Sequence, residues 1–138
     1  MENITYHVNE TVSAAEYIAM LKRTSLGPRR PVDDVPCIQG MLDNTNLTIT
    51  ARAGGLLIGA ARSVTDFHFC CYLSDLAVDE AFQRRGIGKE LIRLTQAQLG
   101  PRCRIVLLAA PAAVEYYPHI GFEHHPQCWT LKPSAPLA

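Results

Sequence analysis

The residues best suited to chemistry run from Leu76 to Lys89: Leu-Ala-Val-Asp-Glu-Ala-Phe-Gln-Arg-Arg-Gly-Ile-Gly-Lys. A strand is expected to end at Val78. A loop with Gln83, Arg84 and Arg85 follows, and Gly86 and Gly88 open a helix. The first N–H groups of a helix have no internal acceptor, and the helix dipole adds partial positive charge at the same end. Glycine has no side chain to hold an anion away from the backbone. Arg84, Arg85 and Lys89 add full charges, so the segment can hold a pyrophosphate; a plain helix-start turn is the alternative. A Walker loop requires G-x-x-x-x-G-K-[ST], but Gly86 and Gly88 stand too close together and Lys89 is followed by Glu90. The dinucleotide fingerprint G-x-G-x-x-G would need glycine where Leu91 stands.

Asp75 is a second suspect, because an acid within an otherwise apolar strand is costly unless it has a partner. Strand alternation puts it on the face of Leu73 and Ala77, opposite Leu76 and Val78, unless a bulge resets the parity. A structural carboxylate bonded to backbone or to Arg62 is the alternative. His119, His124, His125 and Cys128 do not read as a metal site, since adjacent histidines on a strand point to opposite faces and further ligands are unspecified. Arg29 and Arg30 lie in an early loop, where a solvated role is equally open.

These groups must be positioned by a chain of 138 residues, about one domain's length. Hydrophobic residues at 48% and charged residues at 19% describe a globular chain. Thirteen Lys plus Arg balance thirteen Asp plus Glu, which argues against a nucleic-acid partner. No apolar run approaches the roughly 18 residues of a membrane span. No basic-then-apolar leader opens at Met1-Glu2-Asn3. Cys37, Cys70, Cys71, Cys103 and Cys128 form no C-x-x-C pair and read as reduced thiols of a cytoplasmic protein.

The hydrophobic pattern predicts an edge strand over residues 3–9 and a helix to about Arg23, capped by Thr11 or Ser13. A short helix over Asp33–Leu42 follows, interrupted by Pro36 and Gly40. Strands are expected from Leu47 and from Leu56 to Arg62 about a Gly54-Gly55 turn, and a third from about Phe69 to Val78. The clearest helix is Gly86–Leu99, stopped by Gly100-Pro101. Arg104 to Leu108 reads as a strand covered on both faces. A short helix over 112–119 and a last strand from Gly121 toward Leu131 complete the chain. The expected fold is α/β: one mixed, mostly antiparallel, twisted sheet of six to seven strands with helices on both faces. A single domain over 1–132 would precede a loose tail at 133–138.

Gln83-Arg84-Arg85-Gly86-Ile87-Gly88 resembles, position for position, the acetyl-CoA-binding motif [Q/R]-x-x-G-x-[G/A] of the GNAT N-acetyltransferase superfamily. Ala113-Val114-Glu115-Tyr116-Tyr117-Pro118-His119-Ile120-Gly121-Phe122 is similar to that superfamily's A-x-x-F-Y-x-x-x-G-F segment, with Tyr117 on the family tyrosine and Tyr116 in place of Phe. The resemblance spans about Leu56 to Leu131. Arg62–Asp66 and Asp75 further resemble the small members that include plant plastid serotonin N-acetyltransferase-type proteins, without assigning serotonin as acceptor. Ala110 departs from the pattern, standing where many members carry an asparagine that contacts cofactor or sheet.

The resemblance implies an acetyl-CoA-dependent enzyme that acetylates a primary amine by direct attack in a ternary complex. It implies that Leu76, Ala77 and Val78 hold the pantetheine and thioester through backbone, and that Gln83, Arg84, Arg85, Gly86, Ile87, Gly88 and Lys89 hold the pyrophosphate. Tyr117 becomes the candidate acid for the departing thiolate, with a core tyrosine as the alternative. Asp75 becomes the candidate base, with a chain of waters as the alternative. Arg29, Tyr72 and Ser74 are candidates for the acceptor side. A small-molecule or peptide amine is the expected acceptor, no metal or membrane is involved, and a homodimer matches family habit. A non-catalytic CoA-binding sensor on the same scaffold is the second reading. A small nucleotide-binding protein is the third.

Overall fold

Alternating apolar side chains build the sheet, and helical apolar stripes build the elements that cover it. The computed structural model describes residues 3–138, so Met1 and Glu2, read above for a leader, lie outside the described residues. The chain packs as two compact units that divide between Leu108 and Ala109. The first unit runs β1 (Ile4–Val8), α1 (Ala14–Leu21), a 3-10 turn (Gly27–Arg29), α2 (Val35–Asp43), β2 (Leu47–Ala53), β3 (Leu56–Thr65) and β4 (Cys70–Val78). A second 3-10 turn (Glu80–Phe82), α3 (Ile87–Ala97) and β5 (Arg104–Val106) follow. One open mixed sheet takes the order β1-β2-β3-β4-β5, antiparallel except for the parallel β4–β5 pair.

Local chemistry sets the helix starts. Of the two expected caps Ser13 is the one used, its Oγ accepting the Glu16 N–H at 3.1 Å. Pro36 does not break α2, because it sits in the first turn where its missing N–H would have had no acceptor. Asp34 caps the same helix by accepting the Cys37 N–H at 3.0 Å. Tyr17, Ile18 and Leu21 of α1 and Ile38 of α2 then bury against Leu57, Ala60 and Ala77 on one face of the sheet. α3 covers the other face with Ile87, Leu91, Ile92 and Thr95. Gly59 leaves room for Leu91 of that helix. A Cβ there would stand 2.9 Å from the Ala77 carbonyl oxygen and 3.4 Å from Leu91 Cδ1.

The second unit, Ala109–Ala138, holds a 3-10 turn (Pro111–Ala113) and a one-turn helix α4 (Tyr116–His119) in place of the continuous helix expected over 112–119. Pro118 has no N–H to offer the Val114 carbonyl, so a helix continuous from 112 would lose that bond, whereas the first turn of α4 tolerates it. Among the described residues no strand follows Val106, and the sheet has five strands rather than six to seven. The strand expected from Gly121 toward Leu131 is not formed. Pro126 interrupts the run, and a strand there would need a partner for its backbone groups. β5 also stops short of Leu108, and Val106 and Leu108 are exposed rather than covered on both faces. Apolar composition marks residues that gain from burial; it does not supply an element to bury them.

Gly59→Ala is expected to destabilise the protein by about 1–3 kcal/mol, since the added methyl meets backbone rather than a movable side-chain end. Urea denaturation should show a lower midpoint with an unchanged slope.

Candidate functional site

β4 is half-paired. β3 accompanies it as far as Val78, whereas β5 pairs only with Cys70, Cys71 and Tyr72. Beyond Tyr72 its outer edge has no strand beside it among the described residues. The Asp79 N–H donates to the Ile58 carbonyl at 2.7 Å. In an antiparallel ladder alternate residues bond to the same neighbour, so Ala77 also turns its backbone toward β3, and Leu76 and Val78 turn theirs to the open edge. Two side chains reach that edge. Arg30 Nη2 donates to the Ser74 carbonyl at 2.7 Å, and Gln83 Nε2 donates to the Val78 carbonyl at 3.4 Å.

A bulge sets what faces the edge. Arg62 pairs with Asp75 but Ser63 pairs with Leu73, leaving Ser74 as an extra residue on β4. Arg62 and Ser63 point to opposite faces, and so do their partners. Asp75 therefore stays with Ala77 under α1 and α2, as expected. Leu73 turns to the α3 face, contrary to its expected grouping with Asp75.

Past β4 the chain turns sharply into α3. Arg84 and Gly86 both adopt left-handed backbone, with φ of 64° and 76°. For Gly86, the residue preceding the helix, this conformation favours glycine, and there is open space where a Cβ would stand. No side chain caps the helix, and its first closing bond runs from the Glu90 N–H to the Gly86 carbonyl at 3.0 Å. The N–H groups of Ile87, Gly88 and Lys89 are thus left without acceptors among the described residues. Arg84, Arg85 and Lys89 are exposed and enter no ion pair there. Arg85 lies over the Phe82 ring, 5.1 Å from its centroid. Glu90, the nearby acid, is bonded to Arg93. The result is a bare, positively charged row of N–H donors that suits a diphosphate.

Asp75 is fully buried and fully engaged. Its Oδ1 accepts from Arg30 Nε at 2.6 Å; its Oδ2 accepts from Arg62 Nε at 2.6 Å and from the Tyr17 hydroxyl at 2.7 Å. Burial pushes its pKa up, but the bonds and charge of Arg62, with further bonds from Arg30 and Tyr17, outweigh this and hold the carboxyl below the usual range. Burial and the adjacent Asp75 charge push the Tyr17 hydroxyl well above its ordinary value, so it stays a donor. A carboxylate in this state is poorly suited to take a proton near neutral pH. The ion-paired structural role, one of the two alternatives read from the sequence, is the one this geometry supports.

The other candidates fall in several places. Ser74 is half-buried at the bulge, its hydroxyl accepting from Arg62 Nη2 at 3.0 Å. Tyr72 is 41% exposed and pairs with Val64 and Val106 across the sheet. Arg29 is exposed and is bonded through its backbone, its N–H donating to the Leu26 carbonyl at 2.9 Å and its carbonyl accepting from Arg30 Nη1 at 2.9 Å. Arg30, its neighbour, is the arginine that reaches β4; two adjacent loop arginines carry no sequence signal to tell them apart. Tyr117 belongs to the second unit, edge-on to Tyr116 and Phe122 with ring centroids 5.3 Å away in each case. Burial, with a smaller contribution from Tyr116, raises its pKa, and its hydroxyl has no hydrogen-bond partner among the described residues. His119, His124, His125 and Cys128 are exposed in the same unit, and no three metal-binding side chains gather among the described residues.

Residues 32–128 match the family model of the acetyltransferase (GNAT) domain. Over 76 residues the chain is 38% identical to a histone acetyltransferase of Glycine max, covering 51% of this chain and 32% of that protein. It thus spans about a third of the length of that curated relative. A GNAT-family acetyltransferase from Streptococcus pneumoniae superposes with a TM-score of 0.74 at 21% identity, covering 94% of this chain and 99% of that one. An aminoglycoside N-acetyltransferase solved in complex with CoA superposes with a TM-score of 0.71 at 18% identity, covering 98% and 97%. At these identities the two structures share the fold.

Asp75→Asn leaves Arg30 and Arg62 without their counter-charge and is expected to cost about 3–5 kcal/mol. The folded pKa of Asp75 lies below its unfolded value of about 3.9, so its contribution is complete above that pH and is lost as pH falls through the folded value. Urea melts of wild type and variant should differ by a constant amount from about pH 5 to 8 and converge below about pH 4.

Proposed function

The chain belongs to the GNAT acetyltransferase family, and from that premise we propose that it transfers an acetyl group from acetyl-CoA to a primary amine in a ternary complex. The observation that carries this reading is the open outer edge of β4 at Leu76 and Val78, followed eight residues on by the uncapped start of α3. Residues that can hold an extended thiol arm and residues that can hold its diphosphate are therefore joined by one short connection, residues 79–86.

Acetyl-CoA supplies an acyl group activated as a thioester. The chain's part is to bind, orient and manage protons. The N–H groups of Ile87, Gly88 and Lys89 and the charges of Arg84, Arg85 and Lys89 grip the diphosphate. The outward backbone of Leu76 and Val78 lies along the pantetheine, and an outward N–H there can meet the negative charge that builds on the carbonyl oxygen. The amine forms the new C–N bond as the C–S bond breaks. Its proton leaves to water, because both oxygens of Asp75 are engaged. From its place in the Ala113–Phe122 motif alone, Tyr117 is the residue we assign to return a proton to the departing thiolate; burial raises its pKa, which keeps the hydroxyl protonated at neutral pH.

The acceptor we infer is a small-molecule or peptide amine, with Tyr72, Ser74 and Arg29 on its side of the site. The narrower likeness to serotonin N-acetyltransferase-type proteins rests on Arg62–Asp66 and Asp75. Arg62 and Asp75 are core partners, so a likeness at those two positions speaks for a shared interior rather than a shared acceptor. Free thiols at all five cysteines support a reducing, cytoplasmic setting. One feature favours the second reading, binding of CoA without transfer: the acid at the β4 edge is closed by its arginines.

Calorimetry with acetyl-CoA tests the binding half. The triple variant Arg84→Ala, Arg85→Ala, Lys89→Ala should bind at least tenfold more weakly, and wild type that gives no heat would remove the proposal. Thiol release with a panel of amines tests the transfer half; binding without release across that panel favours the sensor. Tyr117→Phe should lower turnover about a hundredfold while leaving acetyl-CoA affinity nearly unchanged. Equal turnover would take Tyr117 out of the mechanism.

A further inference from the structure

By charge alone, Arg30 is one cation more than Asp75 needs. Arg62 already neutralises that carboxylate from inside the core, with its side chain 7% exposed, while the Arg30 side chain is 21% exposed at the sheet edge. Arg62 and the Tyr17 hydroxyl both bond Oδ2, so the second arginine adds a partner for Oδ1 that a neutral donor could equally supply. The second arginine is explained by where it sits. It ends the 3-10 turn Gly27–Arg29, whose start is packed tightly: Leu26 and Gly27 are buried, and a Cβ on Gly27 would stand 2.9 Å from the Leu21 carbonyl oxygen. From there to α2, the backbone bonds of Arg30, Val32 and Asp34 are local, to Gly27, Arg30 and Pro31. The polar tie from this loop to the sheet is the Arg30 fork, on Asp75 Oδ1 at 2.6 Å and on the Ser74 carbonyl at 2.7 Å. Val32 adds an apolar contact with the core.

The Ser74 carbonyl belongs to the bulge at the upper end of the open β4 edge. By occupying it, Arg30 closes that edge just before Leu76 and fixes the loop beside the stretch left for a ligand. We propose that Arg30 is a positioning residue that docks the loop of residues 28–34 on the β4 bulge and thereby shapes the acceptor side of the site. This rests on the acetyl-transfer reading given above, with a primary amine as the acceptor class. The planar fork matters, because an ammonium cannot span both Asp75 and the Ser74 carbonyl with the same geometry.

The test uses Arg30→Gln and Arg30→Lys. Both keep the Arg62–Asp75 pair and both still carry an N–H donor for Oδ1, so both should stay folded. Hydrogen exchange of the Arg29, Arg30, Val32 and Asp34 amides, which needs no substrate, should quicken at least tenfold in Arg30→Gln while the strands keep their protection. Acetyl-CoA affinity should stay within twofold of wild type by calorimetry. With the best amine from the panel, KM should rise tenfold or more and kcat change much less, and Arg30→Lys should recover only part of the loss. Unchanged exchange in the loop would overturn the docking role. Faster exchange with unchanged amine KM would overturn the acceptor role, as would acetyl-CoA affinity falling in step with it. Wild type that neither binds acetyl-CoA nor acetylates an amine would end the transfer reading, and the exchange measurement would still decide whether Arg30 docks the loop.

Discussion

One buried carboxylate ties together the parts of this protein that would otherwise have little to hold them in register. Asp75 lies on the fourth strand with two guanidiniums and a tyrosine hydroxyl on its oxygens. Those three partners come from the first helix, the loop after it and the third strand. An ionised acid at full burial is tolerated only when its charge is matched and its lone pairs are used. Meeting that demand draws the α1–α2 layer onto the sheet in a single arrangement, and no apolar contact could specify the same positions as narrowly.

The same residue sits where β4 changes character. On one side of the bulge at Ser74 the strand lies between two neighbours; on the other it has only β3. A strand edge without a partner is normally a liability, because its amides and carbonyls invite unwanted pairing. Here one carbonyl is taken by Arg30 and another is approached by Gln83. The remaining stretch leads into the uncapped start of α3, which carries the opposite asset: donors without acceptors. Chain order alone makes these two features adjacent, since the strand, the turn with left-handed Arg84 and Gly86, and the helix are continuous. α3 is held against the sheet by Leu91 over Gly59, so the donor row is fixed relative to the edge by packing rather than by the loop between them.

Much of this was legible beforehand. The spacing of Gly86 and Gly88, the cations around them and the amphipathic run to Leu99 announced a bare, cation-flanked helix start, and α3 begins without a side-chain cap there. The meander, the Ser13 cap and the cost of an unpartnered Asp75 were readable for equally local reasons. Misreadings arose where the deciding fact was a neighbour. Arg104–Leu108 has the composition of a covered strand, yet β5 is short and largely exposed. The stretch after Gly121 has strand-like residues and no strand to pair with. Arg29 and Arg30 look alike in a row of letters, and only the direction of the loop separates the one that faces solvent from the one that grips the sheet.

The Gly54-Gly55 turn, the stop at Gly100-Pro101 and the bare start of α3 depend on residues a few positions apart, and the order of amino acids was enough to foresee them. The role of Asp75 depended on contacts reaching back 13, 45 and 58 residues to Arg62, Arg30 and Tyr17. Such contacts form only when the sheet register and the helix layer are both in place. The acid's protonation behaviour, the face taken by Leu73 and the choice between the loop arginines were therefore settled by folding, because each is a property of what surrounds a side chain in space.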